Sequence, residues 1–165
     1  MRPIVIYSTG GGGARGGNTE KVAVEIASEL GCQCVKVSKD FDPSTLNLYD
    51  YDLVFVGTGI YGGRPNRNML DYLEKIDLKK PLQFTIFITW AGAFKSDKRV
   101  FGKIKTVLEA KEQRVLDSFY KCYGEGHSGF DRGVSSFFGA DRMGHPDASD
   151  LSAARKWARE VIEGV

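Results

Sequence analysis

Apolar positions along this chain follow two alternating patterns. Residues 3–8 (PIVIYS), 32–38, 53–58 (LVFVGT), 84–90 and 114–123 are short runs rich in Ile, Val, Phe and Tyr, the signature of β-strands. The run over 53–58 is continuously apolar, as expected of a strand buried on both faces. Between these runs the period changes to that of a helix. Residues 18–30 place Val22, Ala23, Ile26, Ala27 and Leu30 on one face, with Asn18 expected as N-cap and Gly31 just past the end. Residues 66–76 group Met69, Leu70, Leu73 and Ile76, and residues 98–111 group Val100, Phe101, Ile104, Val107 and Leu108. Residues 149–163 carry a stripe of Ala153, Ala154, Trp157, Ala158, Val161 and Ile162. Residues 39–51 have room for one or two helical turns, and the glycine-rich residues 124–148 form a long excursion before the last helix.

Five strands alternating with helices predict an α/β fold, a parallel sheet with helices on both faces. A chain of 165 residues is expected to form a single domain over 1–165. No stretch approaches the ~20 apolar residues of a membrane span. The apolar run at 3–8 is too short for a secretory core, so the expected location is the cytoplasm. The three cysteines, Cys32, Cys34 and Cys122, are too few and oddly spaced for a disulfide framework and are expected to be small buried hydrophobes. With His127 and His145 they complete no metal-binding set, and no metal is expected. A net charge of +2 without a basic run gives no sign of nucleic-acid binding.

In an open parallel sheet, ligands bind beyond the carboxyl ends of the strands, where the strand order switches. The segments that follow the first, third and fourth strands read STGGGGARGGNT, TGIYGGRPNR and WAGAFKSD. The first suits a phosphate. Ser8, Thr9 and Thr19 offer hydroxyls, Asn18 an amide, and the glycines let backbone N–H groups turn inward at a helix start. Gly11, Gly13 and Gly16 also match G-x-G-x-x-G, with Asp40 at about the distance of a ribose contact, but such a glycine run matches many patterns. No lysine precedes Thr19, so the loop is not a P-loop. The other two segments suit a flat ring. Gly59, Gly62 and Gly63 permit close approach, and Tyr61, Trp90 and Phe94 offer stacking faces. Trp90 is equally readable as the last core residue of its strand.

At these residues the sequence resembles the flavodoxin family. The residues Tyr7, Ser8 and Thr9, followed by Gly17, Asn18 and Thr19, look like that family's phosphate-binding loop. DYDLVFVGTGIYGG looks like its third strand and first flavin-flanking loop, and Gly144, His145 and Pro146 look like the approach to its final helix. The resemblance covers essentially the whole chain. It implies a three-layer flavodoxin-like fold with strand order 2-1-3-4-5 and FMN at the switch between the first and third strands. Ser8, Thr9, Asn18 and Thr19 would hold the FMN phosphate with backbone groups of Gly10 and Gly17. Thr58, Gly59, Ile60, Tyr61, Gly62 and Gly63 would border the flavin, with Tyr61 near the ring and Gly62 near its reactive nitrogen. Trp90, Ala91, Gly92 and Phe94 would border the opposite side.

Three features depart from the family pattern. Residues 11–16 lengthen the phosphate loop and bring in Arg15. The chain is not acidic. Basic residues crowd the expected rim: Arg64, Arg67, Lys95, Lys98 and Arg99. That rim is either a solvated edge or a dock for an acidic partner or an anionic substrate. The expected function is electron transfer between redox proteins, which needs no catalytic acid or base, and His145 is read as structural. The alternative is an FMN oxidoreductase of similar fold acting on a quinone or a porphyrin precursor. A third reading, a non-redox binder of another phosphate ligand, would go with absence of flavin.

Overall fold

The computed structural model describes residues 1–10, 17–90, 96–124 and 144–165. The expected strands and helices are present, several with shifted ends. Strand β1 (Pro3–Ser8) leads to helix α1 (Asn18–Leu30) and strand β2 (Gln33–Lys36). Two short 3₁₀ turns, Pro43–Thr45 and Leu48–Asp50, occupy the next connection. Strand β3 (Leu53–Tyr61) turns into a two-residue strand β4 (Arg64–Pro65) and helix α2 (Arg67–Lys75). Strand β5 (Gln83–Trp90), helix α3 (Ser96–Glu109), strand β6 (Arg114–Tyr123) and helix α4 (Ala148–Glu163) complete the order.

The sheet runs β2-β1-β3-β5-β6, all parallel, with β4 antiparallel on the end of β3. Counting the long strands alone, this is the expected 2-1-3-4-5. The short β4 was not foreseen, because Gly62 and Gly63 reverse the chain with φ of 56° and 76°. Positive φ is open to glycine at little cost, so a tight turn replaces the ordinary loop expected after the third strand.

Strand alternation divides the core in two. Ile4, Ile6, Val54, Val56, Phe84, Ile86 and Ile88 face Met69 and Leu73 of α2 and Val100, Ile104 and Leu108 of α3. Val5, Tyr7, Leu53, Phe55 and Phe87 face Val22, Ala23 and Ile26 of α1 and Ala154, Ala158 and Val161 of α4. Both faces of β1, β3 and β5 are therefore buried, which is why their sequences read as continuous apolar runs.

Four local expectations are corrected. Gly17, not Asn18, is the N-cap of α1, and it makes no side-chain cap bond. The second strand covers only Gln33–Lys36 instead of 32–38. Tyr72 is buried on α2 whereas Leu70 is half-buried. Ala153 is exposed, while Leu151 packs toward the core. In an alanine-rich stripe the pattern carries little contrast, so the face that meets α1 decides. Gly31 does end α1, with φ of 59° and its N–H donating to the carbonyls of Ala27 and Ser28.

Candidate functional site

The carboxyl ends of β1, β3 and β5 lie side by side, in registers that pair Ser8 with Thr58 and Gly59 with Thr89. Four buried hydroxyls, of Ser8, Thr58, Thr19 and Thr89, fasten them. The Ser8 hydroxyl donates to Asn66 Oδ1 at 2.9 Å, and the Asn66 N–H donates to Thr58 Oγ1 at 2.8 Å. Thr58 in turn donates to the Gly59 carbonyl at 2.9 Å. The Thr19 and Thr89 hydroxyls are 2.8 Å apart, joining the first turn of α1 to β5. Asn66 also caps α2 by accepting the Asn68 N–H at 3.0 Å. It is the main residue the sequence reading missed as part of this network. Its place just ahead of a helical pattern was the available signal.

Thr9, Gly10 and Gly17 sit above this buried layer. A Cβ on Gly17 would overlap the Thr9 side chain, so only glycine lets α1 start this close to β1. Tyr61 reaches back across the layer: its hydroxyl accepts the Gly10 N–H at 2.5 Å. Its ring covers both Gly10 and Gly59, where a Cβ would come within 2.8 Å of its atoms. Tyr61 remains an exposed aromatic, and Gly62 faces open space. Ile60 is half-buried and pairs with Pro65. Asn18 lies against Gly124, whose N–H donates to the Trp90 carbonyl at 2.9 Å. Thus α1, β5 and β6 meet at one corner. Ala91, Gly92, Phe94 and Lys95 lie outside the described residues, as do Gly11, Gly13, Arg15, Gly16 and His127. Asp40 is exposed after β2.

Trp90 ends β5 half-buried, and its Nε1 is buried with no hydrogen-bond partner among the described residues. The Tyr123 ring meets it edge-on at 5.7 Å. The Lys121 ammonium lies 5.2 Å from the Trp90 ring centroid and 2.7 Å from Asp97 Oδ2. Nothing in the sequence separates this carboxylate from its exposed neighbours in α3, yet Asp97 is only 2% exposed. Burial pushes its carboxyl up, but the Lys121 hydrogen bond and charge, with the Lys98 N–H, outweigh it and hold the group below the ordinary carboxylate range. Because its folded value is depressed, Asp97 contributes stability above the ordinary carboxylate range. That contribution is lost as pH falls through the depressed value. Between about pH 5 and pH 2, urea midpoints of the wild type are expected to fall more steeply than those of Asp97→Asn.

His145 is consistent with a structural role. Its Nδ1 is 2.6 Å from Asp150 Oδ2, and Asp150 forms the capping box of α4 with Asp147. The cysteines also behave as small hydrophobes. Burial pushes the Cys34 thiol up to about 11 and the Cys122 thiol up to about 12. Cys32 and Cys34 are half-buried against the α1 side of the sheet. Among the described residues no helix is long and apolar enough to cross a membrane.

A family model described as a flavodoxin domain matches residues 4–128. The fold and the layout of the strand ends are those of that class, and the chain belongs to the flavodoxin domain family. It is 28% identical over 164 residues to an uncharacterized protein of Methanocaldococcus jannaschii, covering 99% of each chain. It is 30% identical over 129 residues to the flavodoxin-like domain-containing protein BilS of Clostridioides difficile, covering 76% of this chain and 67% of that one. Among solved structures, oxidised flavodoxin 2 from Bacillus cereus superposes with a TM-score of 0.69 at 17% identity, covering all of both chains.

Proposed function

We propose that this protein binds FMN at the carboxyl edge of β1, β3 and β5 and carries electrons between redox proteins. The observation that carries the reading is the junction of the carboxyl ends of β1, β3 and β5 at the switch point, tied by Ser8, Asn66, Thr58, Thr19 and Thr89. Family membership and the match to a flavodoxin structure support a flavin as the ligand.

The residues fit such a group. Helix α1 has no side-chain cap, whereas α2 and α4 are capped by Asn66 and Asp147. A phosphate beside Thr9, Gly10, Gly17 and Asn18 would meet the N-terminal dipole of α1. The Tyr61 hydroxyl gives up the Gly10 N–H when an anion takes that donor. The buried Trp90 Nε1 has no partner among the described residues, and a bound ligand would satisfy it. Tyr61 and Trp90, at the ends of β3 and β5, would flank a planar ring, and Gly59, Gly62 and Gly63 would let backbone come close to it. The flavin, when bound, supplies the redox chemistry. The chain binds and orients it and sets its electrostatic surroundings.

The test is anaerobic stepwise reduction of the purified protein after addition of FMN, followed by visible absorption. Stoichiometric uptake and two separated one-electron steps are expected. Direct two-electron bleaching would favour the oxidoreductase reading, in which a quinone or porphyrin precursor is the substrate. A protein that takes up no FMN would overturn the proposal.

A further inference from the structure

Charges on this molecule are paired on one side and unpaired on another. Along α1 and α4, Arg155 pairs with Glu25 and Arg159 pairs with Glu29. Lys36, at the end of β2, lies 3.1 Å from Glu20 in the first turn of α1, but beyond the ends of β3 and β5 the pattern reverses. Arg64 of β4 and Lys98 and Arg99 of α3 are exposed and, among the described residues, form no ion pair. Arg67, in the first turn of α2, has only Asp71 of its own helix at 3.6 Å, and its side chain is 91% exposed. Asp97, the buried carboxylate of this edge among the described residues, is already neutralised by Lys121. Arg99 reaches the Gly62–Gly63 turn, with its guanidinium 3.5 Å from the position of a Cβ on Gly63. Arg64 directly follows that turn, and Arg67 and Lys98 lie in the first turns of the helices that follow β4 and β5.

From this layout we infer that the rim formed by Arg64, Arg67, Lys98 and Arg99 is the docking face for an acidic redox protein, which presents a carboxylate-rich surface to the cofactor edge. The inference rests on the electron-carrier reading. A small anion would call for buried cations converging on one point. Here they come from β4, α2 and α3 and point into solvent, which suits a broad, weakly held protein contact. Among the described residues, four exposed cations with Asp71 as the one opposing carboxylate attract such a surface over a Debye length, and a transient contact of this kind is steered by charge more than by buried area. The sign is also selective, because a basic partner is repelled.

The test uses the purified protein with its flavin content read by absorbance. An acidic ferredoxin serves as probe and basic cytochrome c as the opposite-charge control. Amide shifts in a ¹⁵N spectrum are expected to concentrate at Arg64, Arg67, Lys98 and Arg99 on addition of ferredoxin. Affinity is expected to weaken at least tenfold between about 10 mM and about 300 mM salt, as the Debye length shrinks from ~30 Å to below ~8 Å. The triple variant Arg64→Glu, Arg67→Glu, Arg99→Glu should bind ferredoxin at least tenfold more weakly at low salt and bind cytochrome c more tightly. An unchanged melting curve would show that the variant is folded. Shifts clustered elsewhere, or an affinity indifferent to salt and to the triple change, overturn the inference. A protein without flavin that still docks ferredoxin on this rim upholds the docking face and overturns the carrier reading. A flavin-loaded protein that does not dock does the reverse.

Discussion

Gly57→Ala is expected to destabilise the protein by about 3 kcal/mol, the upper end of ordinary overpacking. Gly57 lies in the middle of β3, paired with Tyr7 of β1 on one side and Phe87 of β5 on the other. The Phe87 ring, fully buried, lies across the face of Gly57. A Cβ there would fall inside the ring's contact envelope, with even its Cε1 only 2.9 Å away. Neither group can yield easily. The backbone is held by ladders on both sides, and the ring is enclosed by the layer that packs against α1 and α4. Urea denaturation should show the midpoint falling with the slope unchanged. Phe87→Leu would cost stability by itself, yet in the Gly57→Ala background it should relieve the clash. A coupling of about 1–2 kcal/mol is the expected outcome of the double-mutant cycle. A Gly57→Ala midpoint equal to the wild type would mean that the Phe87 ring does not lie where it is described.

Asn66→Ala is expected to cost about 2–4 kcal/mol, because it removes a helix cap (about 1) and strands a buried hydroxyl (about 1–3). The Asn66 carbonyl oxygen accepts from both Ser8 and Asn68, and Asn66 is only 7% exposed. Water cannot readily replace it at Ser8, which is fully buried. Adding Ser8→Ala to Asn66→Ala should recover about 1 kcal/mol, since removing both partners of a buried bond is cheaper than removing one. Asn66→Asp keeps the acceptor at a helix N-terminus and should lose less than about 1 kcal/mol. The same residue joins β1 to the segment after β3. FMN affinity is therefore expected to drop about tenfold in Asn66→Ala, or about 1.4 kcal/mol. Calorimetric titration with FMN would measure it, and an affinity equal to that of the wild type would separate the network from the ligand site.

Much of this architecture was legible along the chain because its causes are local. The stripe Val22, Ala23, Ile26, Ala27 identifies α1, since residues three and four apart share a helix face. The apolar runs of β1, β3 and β5 announce strands covered on both sides, and parallel strands joined by helices follow. Gly31 marks the end of α1 because a left-handed residue there suits glycine. Boundaries were less legible, since caps depend on which group is free to bond. Gly17 takes the place expected of Asn18 because the chain must pass close to Thr9.

By itself, then, the sequence determined the order of elements, the two-faced burial of the central strands and the gathering of glycines at their carboxyl ends. All of these follow from periodicity and backbone preference within a few residues. Only the tertiary structure decided which polar groups share a bond. Ser8 and Asn66 are 58 residues apart, Gly10 and Tyr61 are 51 apart, and Asp97 and Lys121 are 24 apart. A hydroxyl or carboxylate carries no mark in sequence of whether it will meet water or a partner. That depends on the side-by-side packing of β1, β3, β5 and β6, which removes water from some polar groups and leaves others in it. The same packing makes Gly57 a contact for Phe87 and leaves Gly62 open, though both are glycines of one strand and its turn.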